Sequence, residues 1–501
     1  MEAFRPQIIL ACVAAYFVLC IGIGLWAMRR TKSARDFFMA GRDLGVLVTA
    51  IAIFSSTMSG FGFVGGPGFV YQMGTSSFWI VISSVFGNAV CIYLLGTKLR
   101  IMAEEHDSIS LPDVVATRYN SSAAGLLTAI AILLGVIGYL AAQILAMATV
   151  LQTLLKTVDW IGLVPIEMCA AAATALLVFY CVTGGIVASV YTDLVQGFIM
   201  MVAAVLVFLA AVKSVDGGFT AMSQTMMLDD PASIGPWGTK GMLGSLSWYF
   251  VFAVGVCGQP HLVTKLMMTR RVRDVRATLP LAIIGFAITA LLWVGLGMAM
   301  RTLVLQGKFP ELASANEAAP EFLQNYTSPL LAGVVFAGLF AAIMSTSDAF
   351  LSIGAAAIVH DIPRAALGRT PRNELLWARI ATALLAIGAT LFSLYSGPRL
   401  IALLGAFGWG TFSAALVPAV AIGFNWKRAN ATAACAAISA SLVVNFGIKL
   451  ADTLGGGHTL PYSLDTGAVA LLVSLILFFG ISLASKPVSA KGTVRQDALQ
   501  N

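Results

Sequence analysis

Two runs place oxygen-bearing side chains where apolar ones are expected. Ala341-Ala342-Ile343-Met344-Ser345-Thr346-Ser347-Asp348 puts hydroxyls and a carboxylate in the middle of an apolar stretch from about Leu330 to Val359. Gly184-Gly185-Ile186-Val187-Ala188-Ser189-Val190-Tyr191-Thr192-Asp193-Leu194-Val195-Gln196 does the same with Asp193. Both runs lie in apolar segments long enough to cross a bilayer, where an ionisable group costs about 2.5–3.5 kcal/mol on insertion scales and marks a candidate functional site. Clustered oxygens suit a hard cation, which lipid solvates poorly. The chemistry these residues predict is movement of an ion through a membrane.

Composition points the same way. The 501 residues are 59% hydrophobic and 11% charged, with mean hydropathy +0.89; a soluble chain carries about 25% charged residues. The net charge of +7 reads as loop bias rather than nucleic-acid affinity, because the basic residues fall between apolar spans. Cys12, Cys20, Cys91, Cys169, Cys181, Cys257 and Cys435 all lie in apolar spans without metal or disulfide spacing and read as packing residues. The four histidines, His106, His261, His360 and His458, are scattered, which argues against a histidine metal site. With no nucleophile, base or metal cluster in view, the chain does not read as an enzyme.

Thirteen apolar spans of about 20 residues can be drawn. They cover 8–28, 46–70, 76–98, 123–153, 161–182, 187–212, 242–266, 279–304, 329–359, 376–396, 400–424, 430–449 and 465–485. The first reads as a retained helix and not a signal peptide, since Glu2 precedes it and Arg29-Arg30 follow it. Alternate loops, with Lys265 counted among them, hold 22 of the 30 Lys and Arg residues. The positive-inside rule then puts the N-terminus outside and the C-terminus in the cytoplasm, which requires an odd number of crossings.

Two spans are interrupted. The second contains Ser59-Gly60-Phe61-Gly62-Phe63-Val64-Gly65-Gly66-Pro67-Gly68, and the seventh contains Gly255-Val256-Cys257-Gly258-Gln259-Pro260. Such glycine and proline densities do not sustain a continuous helix, and unwound backbone at bilayer depth lines a cavity or is buried in protein. The alternative is close helix packing through small residues. The breaks lie five spans apart, where paired interruptions point to a transporter binding site. The expected architecture is all-α and integral to the membrane, with a five-plus-five inverted-repeat core containing two broken helices. It forms one transmembrane domain: an extra helix at 8–28, the core at 46–424, peripheral helices at 430–485 and a cytoplasmic tail at 486–501.

These residues resemble the sodium:solute symporters, carriers of proline, pantothenate, sugars and sialic acid. The strongest elements are Gly184-Gly185 through Gln196, the Ala342-Ile343-Met344-Ser345-Thr346 run, and Gly258-Gln259-Pro260-His261. Met58-Ser59-Gly60 and Trp426-Lys427-Arg428-Ala429-Asn430-Ala431-Thr432 add support. The resemblance implies a sodium site built from the carbonyls of Ser55, Met58 and Ala342 and the hydroxyls of Ser345 and Thr346. It implies a second cation or coupling role for Asp193, with Asp348 standing where some relatives carry a serine. It implies a solute pocket of Thr57, Ser59, Phe61, Gln143, Phe252, Val256 and Gln259, with Gln72 and Phe78 at the outer end.

Proline carriers place tryptophan at the positions of Phe61 and Phe252, and tyrosine at that of Val256. Sialic acid carriers use an arginine in the fourth span, which here offers Gln143. A small amino acid or monocarboxylate fits this pattern better than a sugar acid. The partners implied are sodium, a small solute and the bilayer, in a bacterial inner membrane, with no cofactor beyond the coupling ion. Proton coupling through Asp193 and Asp348 is the rival within this class. A transporter-like membrane sensor is the other alternative.

Overall fold

A computed structural model describes residues 4–29, 31–156, 164–395, 401–454 and 460–485. Among them every named element is a helix, and the one β-type contact is an isolated bridge between Leu44 and Thr269. The expected tail at 486–501 lies outside the described residues.

Twelve helices among the described residues are long and apolar enough to cross a membrane. The difference from thirteen arises in one place. Phe61–Glu105 is a single run of 45 residues, about 68 Å at helical rise and more than twice the thickness of a hydrocarbon core. It leaves helical geometry at Gly74 (φ 60°, ψ −137°) and passes through a tight turn, Gly74–Ser77. The apolar helix before it, Val46–Thr57, has 12 residues, about 18 Å, too short to span alone. A count of thirteen requires Val46–Thr57 and Phe61–Met73 to form one crossing and Phe78–Glu105 another.

The first broken helix runs Val46–Thr57, ends at Met58 (φ −87°, ψ 74°), and resumes through a wide π turn, Phe61–Gly65, into Gly66–Met73. Gly60 is required there by close approach: a Cβ would lie 2.6 Å from Gln143 Oε1 and 2.8 Å from the Ile343 side chain. The second broken helix runs Gly241–Gly255, tightens into a 3-10 turn at Val256–Gly258, and restarts at Pro260–Met267. Gln259 between them is extended (φ −76°, ψ 108°), the conformation a following proline imposes. A third interruption separates Ile166–Thr183 from Gly185–Ser214. Gly185 has φ 55° and ψ −153°, and the Phe37 ring would meet an added Cβ at 2.5 Å; only glycine combines that backbone with that contact.

Burial separates core from periphery. The membrane windows of Pro329–Leu367 and Leu403–Ile422 are 83% and 89% buried, against 28% for Arg5–Met28 and 33% for Ala431–Asp452. Pro329–Ala356 packs on Gly185–Ser214, Ser122–Lys156 and the first broken helix, so its hydroxyl run is held at the centre. Outward-facing positions such as Val18, Ile82, Phe198, Leu384, Val443 and Ile476 are apolar and exposed, as a lipid-facing surface requires.

The ends of the two broken helices are tied together. Leu44 N donates to Met268 O at 3.2 Å and Arg270 N to Leu44 O at 2.8 Å. Arg270 pairs with Asp43, and Arg100 donates to the Thr269 carbonyl at 2.6 Å.

Candidate functional site

The first break frees backbone groups, and a neighbouring helix meets them. Ser345 Oγ lies 3.2 Å from Ser55 O and 3.0 Å from Ala342 O. Thr346 Oγ1 lies 3.1 Å from Ser56 O and 3.4 Å from Ala342 O. Ser56 Oγ donates to Ser345 O at 3.3 Å. Ser55, Ala342, Ser345 and Thr346 are thus brought into one fully buried oxygen cluster. Met58 is buried at the end of the half-helix, two residues beyond Ser56 in the chain. The hydroxyls bridge two helices as well as back-bonding within their own, so local back-bonding does not account for them. Carbonyl and hydroxyl oxygens in this arrangement can hold a monovalent cation without a fixed counter-charge.

Asp193 is not a free acid. Its Oδ2 lies 2.7 Å from Lys265 Nζ, with side chains 0% and 1% exposed. Lys265 also donates to Ala52 O at 3.1 Å and to Ser56 Oγ. The loop-charge reading of Lys265 is therefore corrected: it belongs to Pro260–Met267, every residue of which is buried. One signal in the sequence separated it from the basic loop, since four uncharged residues stand between it and Arg270. Asp348 has different neighbours. Its Oδ1 accepts from Ser189 Oγ at 2.8 Å, and Tyr16, held by Gln196 at 2.7 Å, stands nearby. The two acids share none of these partners.

The expected pocket residues divide into groups. Phe61 stacks on Phe252 with centroids 5.8 Å apart and planes 6° from parallel, and Phe252 stacks on Trp409 at 5.1 Å. Trp293 meets Phe61 edge-on at 5.7 Å. Ser59 Oγ pairs with Tyr139 OH at 3.1 Å. Gln143 Oε1 accepts the Gly60 N–H at 2.8 Å, so this freed donor at the break is already used. Gln259 Nε2 reaches Gly255 O, Trp409 O and Ser413 Oγ at 3.1–3.2 Å. Gln143 Nε2, Gln259 Oε1 and Trp293 Nε1 are buried without a hydrogen-bond partner.

Other expected residues are not joined to this group. Thr57 Oγ1 turns back to Ile53 O at 2.8 Å. Val256 faces Gly87 on the next helix. Gln72 is exposed and Phe78 half-buried, on either side of the Gly74–Ser77 turn. Ser56, Tyr139, Trp293, Trp409 and Lys265 were not singled out from the sequence. Apart from Lys265 none carries a charge; Trp409 stands between Gly408 and Gly410 and Trp293 two residues before Gly295, a glycine context that could have singled them out.

A second charged cluster stands at one end of the bundle. His360 is 3.0 Å from Asp113 and 2.6 Å from Glu374, and Arg364 is 3.0 Å from Asp113. Burial pushes the Asp113 carboxyl up, but the His360 ring and Arg364 guanidinium outweigh it and hold it below the usual carboxylate range. Asp113, His360 and Asp361 have ligand-type atoms within 4.8 Å of one another. Those of Asp113 and His360 are already paired with Arg364 and Glu374, so the group reads as an ion-pair lock between helices.

The sodium:solute symporter family model matches residues 37–440. A sodium/pantothenate symporter of Escherichia coli is 28% identical over 481 residues, covering 93% of this chain and 96% of that protein. An osmoregulated proline transporter of Bacillus subtilis is 26% identical over 483 residues, covering 93% and 94%. A sodium/proline symporter of Escherichia coli is 28% identical over 448 residues, covering 85% and 84%. The fold is similar to that of a Na+-coupled sialic acid symporter solved in a substrate-bound outward-open state (TM-score 0.76, 20% identity, 96% of this chain and 99% of the other). A nucleobase-cation-symport-1 family transporter shares it more distantly (TM-score 0.56, 13% identity, 92% and 98%).

Proposed function

Because the chain belongs to the sodium:solute symporter family, a family of multi-pass membrane transporters, we propose that it couples sodium entry to uptake of a small organic solute by alternating access. The observation that carries this reading is the meeting of Ser345 and Thr346 hydroxyls with the Ser55, Ser56 and Ala342 carbonyls at a helix break. Sodium would be held by the carbonyls of Ser55, Met58 and Ala342 and the hydroxyls of Ser345 and Thr346. Neutral dipoles hold a monovalent ion without trapping it, as a cycle that must release the ion requires. Sodium binding would draw the half-helix Val46–Thr57 and the helix Pro329–Ala356 together and favour the arrangement that receives the solute.

The aromatic stack of Phe61, Phe252 and Trp409 would accept an apolar body. The unpartnered atoms of Gln143 and Gln259 would supply one donor and one acceptor beside it. That pairing fits a proline-like amino acid or a small carboxylate, and the relatives named for proline and pantothenate agree with it. Membrane potential contributes about 2.3 kcal/mol per charge per 100 mV, and a tenfold sodium gradient about 1.4 kcal/mol. One sodium would thus sustain solute accumulation of about two to three orders of magnitude. We place the chain in a bacterial plasma membrane with the N-terminus outside and the C-terminus in the cytoplasm. Proton coupling through Asp193 is disfavoured by its pairing with Lys265.

The test is thermal melting of detergent-purified protein in sodium and in choline, across amino acids and short carboxylates. A solute at 100 times its Kd should add about 2.7 kcal/mol of stability. That gain should appear in sodium only. In Ser345→Ala the sodium needed for half of it should rise about tenfold, near 1.4 kcal/mol, the scale of one lost polar contact. A solute shift that ignores sodium and follows pH would sink the reading.

A further inference from the structure

Lys265 is a buried cation that the oxygen cluster does not itself require. Its ammonium meets Asp193 Oδ2 at 2.7 Å, Ala52 O at 3.1 Å and Ser56 Oγ. Three N–H donors meet three oxygens: a carboxylate, a backbone carbonyl and a hydroxyl. A free alkali cation would choose the same ligand types. Ala52 and Ser56 stand one turn apart on the half-helix Val46–Thr57. Ser56 belongs to both groups, since its carbonyl receives Thr346 Oγ1 at 3.1 Å and its hydroxyl donates to Ser345 O at 3.3 Å.

We infer that the Lys265 ammonium is a tethered cation filling a second cation position, and that it restricts this carrier to one bound sodium. The inference rests on the sodium-coupled reading above. Charge balance supports it. Asp193 and Lys265 cancel, so the pair lends no net negative charge to a further sodium, and the oxygens that would ligate one are already taken by the ammonium. Lysine suits the position because its ammonium is a compact point charge with three donors, whereas a guanidinium is a planar fork. The tether also crosses between elements: it reaches from the half-helix Pro260–Met267 to Val46–Thr57, so the ammonium joins the two broken helices at their buried ends.

Neutralising the lysine while keeping its volume should open the position to solvent cations. In Lys265→Met the Asp193 carboxylate oxygen that the ammonium holds becomes available, together with Ala52 O and Ser56 Oγ. The experiment is equilibrium binding of radioactive sodium alone to the full-length detergent-purified protein, with no solute present. The wild type should bind one sodium per chain with a Hill coefficient near one. Lys265→Met should bind two, with a Hill coefficient above one. Asp193→Asn/Lys265→Met, which removes carboxylate and ammonium together, should return to one. If Lys265→Met does not elute as a monodisperse species, Lys265→Gln serves as the neutral variant, since its amide still donates to Asp193.

Two sodium ions on the wild type would overturn the tethered-cation inference and leave the sodium reading intact. A folded neutral variant that still binds one would overturn it as well. No sodium bound to the wild type would overturn the sodium reading and, with it, the inference.

Discussion

The two broken helices are interrupted in different ways. At the first, the chain stops at Met58 and exposes carbonyls that hydroxyls of Ser345 and Thr346 approach. The oxygens gathered there carry no formal charge, and the Lys265 ammonium that reaches Ser56 is cancelled by Asp193. At the second, side chains close the gap: the Gln259 amide ties Gly255, Trp409 and Ser413 together, and Phe252 lies stacked between Phe61 and Trp409. Breaking a helix does two separable things, freeing backbone dipoles and making room for side chains. The first break uses mainly the former and the second mainly the latter. Oxygen dipoles suit an ion, and aromatic faces flanked by an amide suit an organic body. The division is sharp enough to be broken by experiment.

The largest effect is expected where the first break depends on one residue. Gly60 touches Gln143, Ile343 and Ala146, and any side chain there lies within 3.0 Å of all three. Gly60→Val should push the first break off Ser122–Lys156 and Pro329–Ala356 at once. Overpacking costs about 1–3 kcal/mol of stability, and uptake in proteoliposomes should fall to background with a lowered Tm. Retained transport would mean that the contact between the break and Gln143 is slack, and the comparison would lose its structural basis.

A smaller effect on transport should separate the two breaks. Phe252→Ala removes the middle ring of the stack and leaves every oxygen of the first cluster in place. Truncating a buried phenylalanine costs about 3–5 kcal/mol in a rigid core; where the pocket is rebuilt around a ligand, part of that appears as lost solute affinity. The solute concentration for half-maximal uptake should rise about ten- to a hundredfold, with aromatic contacts of about 0.5–1.5 kcal/mol each contributing. Half-saturating sodium should move much less, since only the coupling free energy transmits the change, and that coupling is reciprocal. Sodium-dependent uptake at a series of solute concentrations reads both constants. Equal shifts in the two would dissolve the distinction between an ion break and a solute break.

Much of this was legible in the chain, for identifiable reasons. Apolar runs of bilayer length announce helices because no other element satisfies its backbone in lipid. Gly60 and Pro260 announce interruptions because their backbone rules are local. Ser345 and Thr346 stood out because hydroxyls are sparse within so apolar a helix. Lys265 was misread because charge alone does not tell a loop from a buried pair; its partner Asp193 is 72 residues away in sequence. Trp293 and Trp409 were passed over for a related reason. Their role depends on which face of a helix meets Phe61 and Phe252, and hydropathy does not encode that where nearly every face is apolar.

Gln72 supplies the smallest expected effect. It is exposed on the last turn of Gly66–Met73, while Phe61 and Phe252 are 4% and 1% exposed in the same structure. An exposed side chain away from special backbone changes stability by less than about 0.5 kcal/mol when replaced. Gln72→Ala should therefore keep the half-saturating solute concentration within about twofold, since 0.4 kcal/mol corresponds to that factor. A tenfold loss would carry a specific meaning. It would require the outer half of the first broken helix to turn inward when the carrier opens, so that Gln72 meets the solute in a state other than this one. The first break would then serve the ion at its buried end and the solute at its outer end, and the division between the two breaks would hold only for the arrangement seen here.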